Sequence, residues 1–473
     1  MKTKFKSFLA TAIICIVALP VTLHAQSNWV DFNNEPSRMQ FDTDDPEEKD
    51  ITVGDLDNDG DDDVLVVRKF PFSSPGARSN LLLVNEDGIL VDRTLEYMPT
   101  FATVPDDSRD VRLLDANNDG WMDIVTVTTF SDTPRLYINQ CANENGAWQG
   151  YVDVPNWFSP AFPIGPKFCA VGVGDINEDG FDDLFFVDYD NSLDNRLLIN
   201  NQDGTFTDET STRLSNSIAN VGFGTSAAIV DFNGDGFNDI LVLESGLMRF
   251  LRNDGTGTFL NNSQVQTLAN TAVYMFELAD FNNDGRPDVY ITDDGQDYVI
   301  YNNSTNANGT VNTTVVTHTN SSRTTGFNGN THPADVDNDG WIDMGVCDVD
   351  VDIPGCNRTY AVLRNNTTGL TDPNNNITLS WNVNGSHDMG WLDINCDGRL
   401  DMFVADCDTY YMFVQEHKVL LGDVNRDGSI NLLDVSAFID VLASSGCNAQ
   451  ADTNGDGENN LLDVPSFVDL LGS

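Results

Sequence analysis

Residues 55–63 read Asp-Leu-Asp-Asn-Asp-Gly-Asp-Asp-Asp, and residues 335–343 read Asp-Val-Asp-Asn-Asp-Gly-Trp-Ile-Asp. Both fit the pattern Asp-x-(Asp/Asn)-x-Asp-Gly-x-x-Asp, which starts at Asp55, Asp115, Asp175, Asp231, Asp280, Asp335 and Asp393. Repeats spaced roughly every 56 residues are the mark of a repeat architecture. An apolar stretch follows each copy at once, at 64–67, 124–127, 184–187, 240–243, 289–291, 344–347 and 402–405, and a shorter one precedes it. The acidic loop therefore joins two strands. A third strand follows, as at 81–84, 136–138, 197–199 and 360–363, and a short aromatic fourth, as at 205–208. Four strands per unit bury their faces only against neighbouring units stacked radially. The expectation is an all-β, seven-bladed β-propeller over residues 26–419.

The seventh unit has no fourth strand of its own after 410–414. Residues 29–32, Trp-Val-Asp-Phe, resemble the fourth-strand segment Thr-Phe-Thr-Asp at 205–208. The start of the mature chain is thus expected to complete the last blade and remove two open sheet edges.

The loops carry the chemistry of a calcium site. Calcium takes six to eight oxygens from carboxylates, amides and backbone carbonyls. Oxygen side chains at positions 1, 3, 5 and 9, with Gly at 6 for the turn, fit that demand. The expected ligands are Asp55, Asp57, Asp59 and Asp63; Asp115, Asn117, Asp119 and Asp123; Asp175, Asn177, Asp179 and Asp183; Asp231, Asn233, Asp235 and Asp239; Asp280, Asn282, Asp284 and Asp288; Asp335, Asp337, Asp339 and Asp343; and Asp393, Asn395, Asp397 and Asp401. Residues 28–417 resemble the FG-GAP/VCBS repeat family, related to the integrin α-chain propeller, with loops 55–60 and 335–340 matching its calcium signature. The resemblance implies a propeller with one ion per blade. It does not imply integrin function, because one fold hosts many activities.

From residue 422 the spacing changes to a twelve-residue, EF-hand-type loop: Asp423, Asn425, Asp427, Ser429, Asn431 and Asp434, repeated as Asp452, Asn454, Asp456, Glu458, Asn460 and Asp463. Position 12 is Asp in both loops. Each loop runs into an apolar periodic segment: Leu432, Val435, Phe438, Ile439 and Leu442, then Leu461, Val464, Phe467, Val468 and Leu471. One amphipathic helix per loop follows, the second beginning just before Pro465. Residues 420–473 resemble a type I dockerin domain. That resemblance implies a cohesin-like partner, and it brings the expected calcium count to about nine. The match departs at loop positions 10 and 11, often hydroxylated in dockerins, which here are Leu432-Leu433 and Leu461-Leu462.

Lys2, Lys4 and Lys6, then an apolar run over 8–19 and Ala25, make residues 1–25 a secretory signal peptide, too short to anchor in a bilayer. A bacterial-type export signal and secretion to the extracellular space or cell surface follow, without membrane insertion. The chain has 24 basic and 74 acidic residues, a net charge of −50, which repels nucleic acid and polyanions. Of 8 Cys, all but Cys15 survive cleavage. Export favours disulfides, and close spacing suggests Cys347 with Cys356, Cys396 with Cys407, and more weakly Cys141 with Cys169. No Cys and His stand at zinc-ligand spacing.

Few histidines remain in the mature chain, and no Ser-His-Asp or zinc-protease set can be assembled from them. Residues just before each acidic loop start the innermost strand and face one channel mouth. There stand Lys49-Asp50, Arg109-Asp110, Thr225-Ser226, Asn330 and His387-Asp388. Arg109, Asp110, His387 and Asp388 are the expected ligand-binding set, suited to neutral sugar hydroxyls or a peptide loop. The first reading is a monomeric, non-catalytic extracellular binder or scaffold for a glycan or protein. The second is a polysaccharide-degrading, lyase-like enzyme or its accessory subunit. A purely structural matrix protein is the third.

Overall fold

In the computed structural model the described residues are 24–26, 30–44, 48–70, 76–129, 133–161, 167–189, 194–219, 222–270, 273–293, 297–304, 311–317, 328–348, 361–365, 369–370, 377–378, 386–406, 408–415, 424, 430, 432–443, 451, 453 and 462–471. They form a seven-bladed β-propeller with a few short helices and a separate C-terminal helix pair. Each blade opens on a seven-residue inner strand: Glu48–Gly54, Ser108–Leu114, Phe168–Gly174, Gly224–Val230, Val273–Ala279, Asn328–Ala334 and Ser386–Leu392, for blades 1 to 7. Neighbouring inner strands touch all the way round, blade 7 against blade 1 included.

The second strands are the centre of the hydrophobic structure. Asp63–Lys69, Asp123–Thr128, Asp183–Asp188, Asp239–Glu244, Asp288–Asp293 and Asp401–Asp406 are buried along nearly their whole length. Their sequences are continuous apolar runs because neighbouring blades cover both faces. Between blades 3 and 4, Phe185, Val187, Ile240 and Val242 share one cluster, and between blades 7 and 1 Phe403, Met412, Val64 and Val66 share another. Fully burying each such side chain is worth about 1.5–3 kcal/mol.

Blade 7 is completed by the other end of the chain. Asp31–Asn34 pairs antiparallel with Tyr410–Gln415, placing Phe32 opposite Gln415 and Asn34 opposite Phe413, and His24–Gln26 adds an outer strand. The closing strand lies two residues later than 29–32. Phe32, fully buried against Val404 and Phe413, fixes its register. Two further outer strands, Met39–Gln40 on blade 1 and Phe158–Ser159 on blade 3, pair in parallel and were not anticipated.

A polar tie repeats in every blade. The ninth-position aspartates are fully buried, and one carboxylate oxygen of each accepts the N–H of the second loop residue, as from Leu56 to Asp63 at 3.0 Å and from Ala116 to Asp123 at 2.9 Å. The other oxygen accepts the N–H of an amide residue at or just past the end of the third strand: Asn85, Asn139, Asn200, Asn253, Asn302, Asn365 or Gln415. The side-chain amide of that residue then donates to the second loop carbonyl of the preceding blade. Asn139 reaches Leu56 at 2.8 Å, Asn200 reaches Ala116 at 2.9 Å, and Asn302 reaches Phe232 at 2.6 Å. Asn85 reaches Ile394 of blade 7 at 3.5 Å and closes the circle. One hydrogen-bonded frame thus sets the loops in register around the ring.

Cys141, Cys169 and Cys347 form no disulfide, so the expected pairs Cys141 with Cys169 and Cys347 with Cys356 do not form. Cys169 and Cys347 lie buried in the wall of the ring, where proximity in sequence does not bring a partner thiol. Cys396 is disulfide-bonded to a residue outside the described set.

Candidate calcium loops and channel site

All seven loops share one conformation. The first aspartate accepts the N–H of position 5 and of the glycine at position 6, as Asp115 does from Asp119 at 3.0 Å and Gly120 at 2.8 Å. The fifth-position carboxylate accepts from residue 7, as Asp119 does from Trp121 at 2.9 Å. Position 6 needs glycine, with φ of 100° at Gly60 and 86° at Gly120, and position 4 is also left-handed, at Asn58, Asn118, Gly234 and their equivalents. In blades 1 and 6, where position 3 is aspartate, Asp55, Asp57 and Asp63, and Asp335, Asp337 and Asp343, bring carboxylate oxygens within 4.8 Å of one another. The third-position oxygens Asn233 Oδ1, Asn282 Oδ1 and Asp337 Oδ1 are buried without a hydrogen-bond partner. Clustered hard oxygens with orphaned acceptors fit a divalent cation of the calcium type.

Electrostatics give the same reading. Burial, with the neighbouring loop carboxylates adding to it, pushes Asp123, Asp183 and Asp288 up to about 7 and Asp239, Asp343 and Asp401 to about 8; backbone N–H donors partly oppose the shift. Asp57 rises to about 6 for the same reasons. A bound cation would supply the missing countercharge. In blade 6, Arg364 already contacts Asp337 at 2.6 Å and Asp339 at 3.0 Å.

The four expected ligand-binding residues are distributed as follows. Asp110 is buried on its inner strand, accepting from Val171 N of blade 3 at 3.0 Å and pairing with Arg112 at 3.1 Å. Asp388 is fully buried and accepts from Ile51 N of blade 1 at 2.6 Å. Arg109 directs Nε to the Cys169 sulfur at 2.8 Å. The side chain of His387, like that of Lys49, lies outside the described residues. Thr225 and Ser226 are buried.

Asp388 belongs to a channel cluster with Asp50 and Asn330, which sequence analysis placed at the same mouth, and with His332, which it missed. His332 Nε2 lies 2.7 Å from Asp388, Asn330 donates to Asp50 at 2.9 Å, and Asp50 shares a hydrogen bond with Asp388. Burial and then the Asp388 charge hold Asp50 well above the usual carboxylate range. Burial works to raise Asp388 as well, but His332 outweighs it and brings Asp388 below the ordinary value. Burial would lower His332, and Asp388 outweighs that to raise it. His332 is held in place by Trp391, whose indole donates to its carbonyl at 3.0 Å. His332 stands at the fifth position of its inner strand, two residues beyond the aligned places that sequence analysis read.

A family model for FG-GAP-like repeats matches residues 55–126, 175–242, 231–291 and 280–346, together more than half of the chain. The chain belongs to the FG-GAP-like repeat family. Comparison with curated proteins returns no match. Among solved structures, this FG-GAP-like chain is similar to an Agrocybe aegerita lectin described for recognition of non-reducing terminal N-acetylglucosamine, with 16% identity and a TM-score of 0.47, covering 77% of this chain and 87% of that one. A Photorhabdus luminescens Tc holotoxin pore is similar at 13% identity and a TM-score of 0.36, covering 78% of this chain and 16% of that one.

Behind the FG-GAP-like ring, a type I dockerin model matches residues 421–466. The helices Asp434–Ala443 and Val464–Leu471 stack Phe438 on Phe467, with ring centroids 3.9 Å apart, and Val424 and Ala451 complete that core. Asp434 and Asp463, the twelfth loop positions, are buried. The other expected loop ligands, Asp423, Asn425, Asp427, Ser429, Asn431, Asp452, Asn454, Asp456, Glu458 and Asn460, lie outside the described residues. The expected apolar helix faces are split. Phe438 and Phe467 turn inward, whereas Leu432, Leu433, Ile439, Leu462 and Val468 are exposed. Among the described residues no helix is long and apolar enough to cross a membrane.

Proposed function

We propose that the chain is an exported, calcium-loaded binding protein whose propeller holds a glycan or protein ligand and whose dockerin module tethers it to a cohesin-like partner. The observation that carries this reading is the union, in one chain, of a closed ring of acidic loops with a type I dockerin match at 421–466. About nine calcium ions are assigned, one per propeller loop and one per dockerin loop. The exposed apolar set Leu432, Leu433, Ile439, Leu462 and Val468 occurs in near-duplicate on the two loop-helix units and is the face offered to the partner. Leucines at loop positions 10 and 11 call for an apolar contact where a hydroxylated dockerin would donate hydrogen bonds. The test is to screen the mature chain against a glycan array and immobilised cohesins, with calcium and with chelator. Calcium-dependent capture without product formation supports the reading.

A second reading, a polysaccharide-degrading enzyme, is favoured by one observation. Asp50 and Asp388 are carboxyls whose environments push them apart, beside His332, and such a pair can divide acid and base roles. Sustained release of unsaturated or reducing-end products, abolished in Asp50→Asn, would establish it against the binder.

A further inference from the structure

The inner strands of blades 3 and 4 carry Gly172 and Ala228 at the fifth position, where blades 2 and 5 carry Arg112 and Glu277. Two small residues between two long ones open a cavity of about 180 Å³ on the channel wall, lined by Arg112, Ser226 and Glu277 and floored by apolar residues such as Val171 and Phe276. Gly172 cannot carry a side chain without cost, since a Cβ there would stand 3.2 Å from the Ala228 backbone.

The polar groups on this wall have unused capacity. Glu277 makes no hydrogen bond or ion pair with any described residue, although burial, partly offset by Arg112, raises its carboxyl. Arg112 engages Asp110 through Nε at 3.1 Å, which leaves its terminal N–H groups able to donate. Both side chains are half-buried, and polar groups partly withdrawn from water gain from a hydrogen-bonding guest in the space between them. Asp110 neutralises Arg112, and the net charge of −50 opposes an anionic guest. An ammonium would meet Arg112. What remains is a neutral molecule of several hydroxyls, each able to donate to Glu277 and accept from Arg112, with Ser226 doing either. The apolar floor suits the C–H face of a sugar ring.

We propose that this cavity binds one pyranose residue of a neutral glycan. The proposal rests on the reading of the propeller as a glycan binder, and it names the residues and the ligand class. Its lining does not include Asp50, Asp388 or His332, although Glu277 and Arg112 feel their charges, and it lies apart from the calcium loops.

The experiment titrates the full mature chain, in calcium, with methyl glycosides of neutral hexoses and pentoses by calorimetry and saturation-transfer NMR. Three proteins are compared: wild type, Glu277→Gln, which keeps the shape and removes the acceptor charge, and Ala228→Leu, which fills the cavity. At least one glycoside should bind the wild type, and both variants should weaken it at least tenfold while the calcium-dependent melt is kept. Glycan binding that neither variant alters would overturn the channel site and leave the binder reading standing. Failure of every neutral glycan and glycoside would overturn the channel site and the glycan form of the binder reading together, and selective binding of free amino acids would overturn the ligand class.

Discussion

The ninth aspartate of each loop holds two jobs that one residue type can fill. Its two oxygens accept two backbone N–H groups, and its charge completes the acidic cluster. In chelator only the first job is left, and burial then holds Asp123, Asp183 and Asp288 near 7 and Asp239, Asp343 and Asp401 near 8. A carboxyl raised on folding binds its proton more tightly in the native state, so its stabilising effect is present at low pH and lost as pH rises through the folded value. Denaturant unfolding of chelated protein should therefore show stability falling from about pH 4, where the unfolded carboxyls titrate, to about pH 8, and levelling off above it. Calcium should flatten that slope. The amide latch makes a second prediction. Asn200→Ala removes a 2.9 Å bond and orphans the buried Ala116 carbonyl, which should cost about 1–3 kcal/mol. Asn85→Ala, whose latch spans 3.5 Å, should cost less. Equal losses in denaturant titrations would contradict the geometric account. The aspartate pattern was legible in sequence because every copy keeps it. The latch was not, because its Asn or Gln sits beyond a third strand at no constant distance from the loop.

The strands were legible where both faces are covered, since runs such as 184–187 are apolar throughout. They were less so at the rim, where Phe158–Ser159 and Met39–Gln40 are two residues long, too short for a periodic signal even though Phe158 and Met39 pack on the core. The closing strand was recognisable by its aromatic residue and was displaced by two positions. Deleting 27–34 should expose the buried Met402, Val404 and Phe413, and limited proteolysis should begin in blade 7; a truncated protein as resistant as the mature chain would refute the closure. In the C-terminal module, helical periodicity found both helices but could not say which apolar residues face inward, because the helix pair buries only a narrow stripe. Phe438→Ala should remove the ring stack and cost about 3–5 kcal/mol, seen as loss of the calcium-induced helical signal from an isolated 420–473 fragment. A fragment that keeps its helix after this change would show that the stack is not its core.

At the scale of the whole ring, like charges are held together by geometry. Each loop gathers three or four carboxylates, loops of neighbouring blades touch, as Asn283 and Gly340 do at 2.8 Å, and the chain carries −50 overall. Apolar burial and the circular latch hold the blades in place, but they do not neutralise the loops. The channel residues were legible in part: Asp50, Asp110 and Asp388 stand at aligned places before the acidic loops, whereas Glu277 and His332, two positions further along their inner strands, carry no repeated signal and face the channel only when the ring is closed. The most direct measurement is thermal unfolding of the mature chain in excess chelator, then with calcium or magnesium restored. Ions that bind the folded state alone stabilise it by mass action. A melting temperature that falls by many degrees on chelation and recovers with calcium, but not with magnesium, is the predicted result. An unchanged melting temperature in chelator would contradict the account.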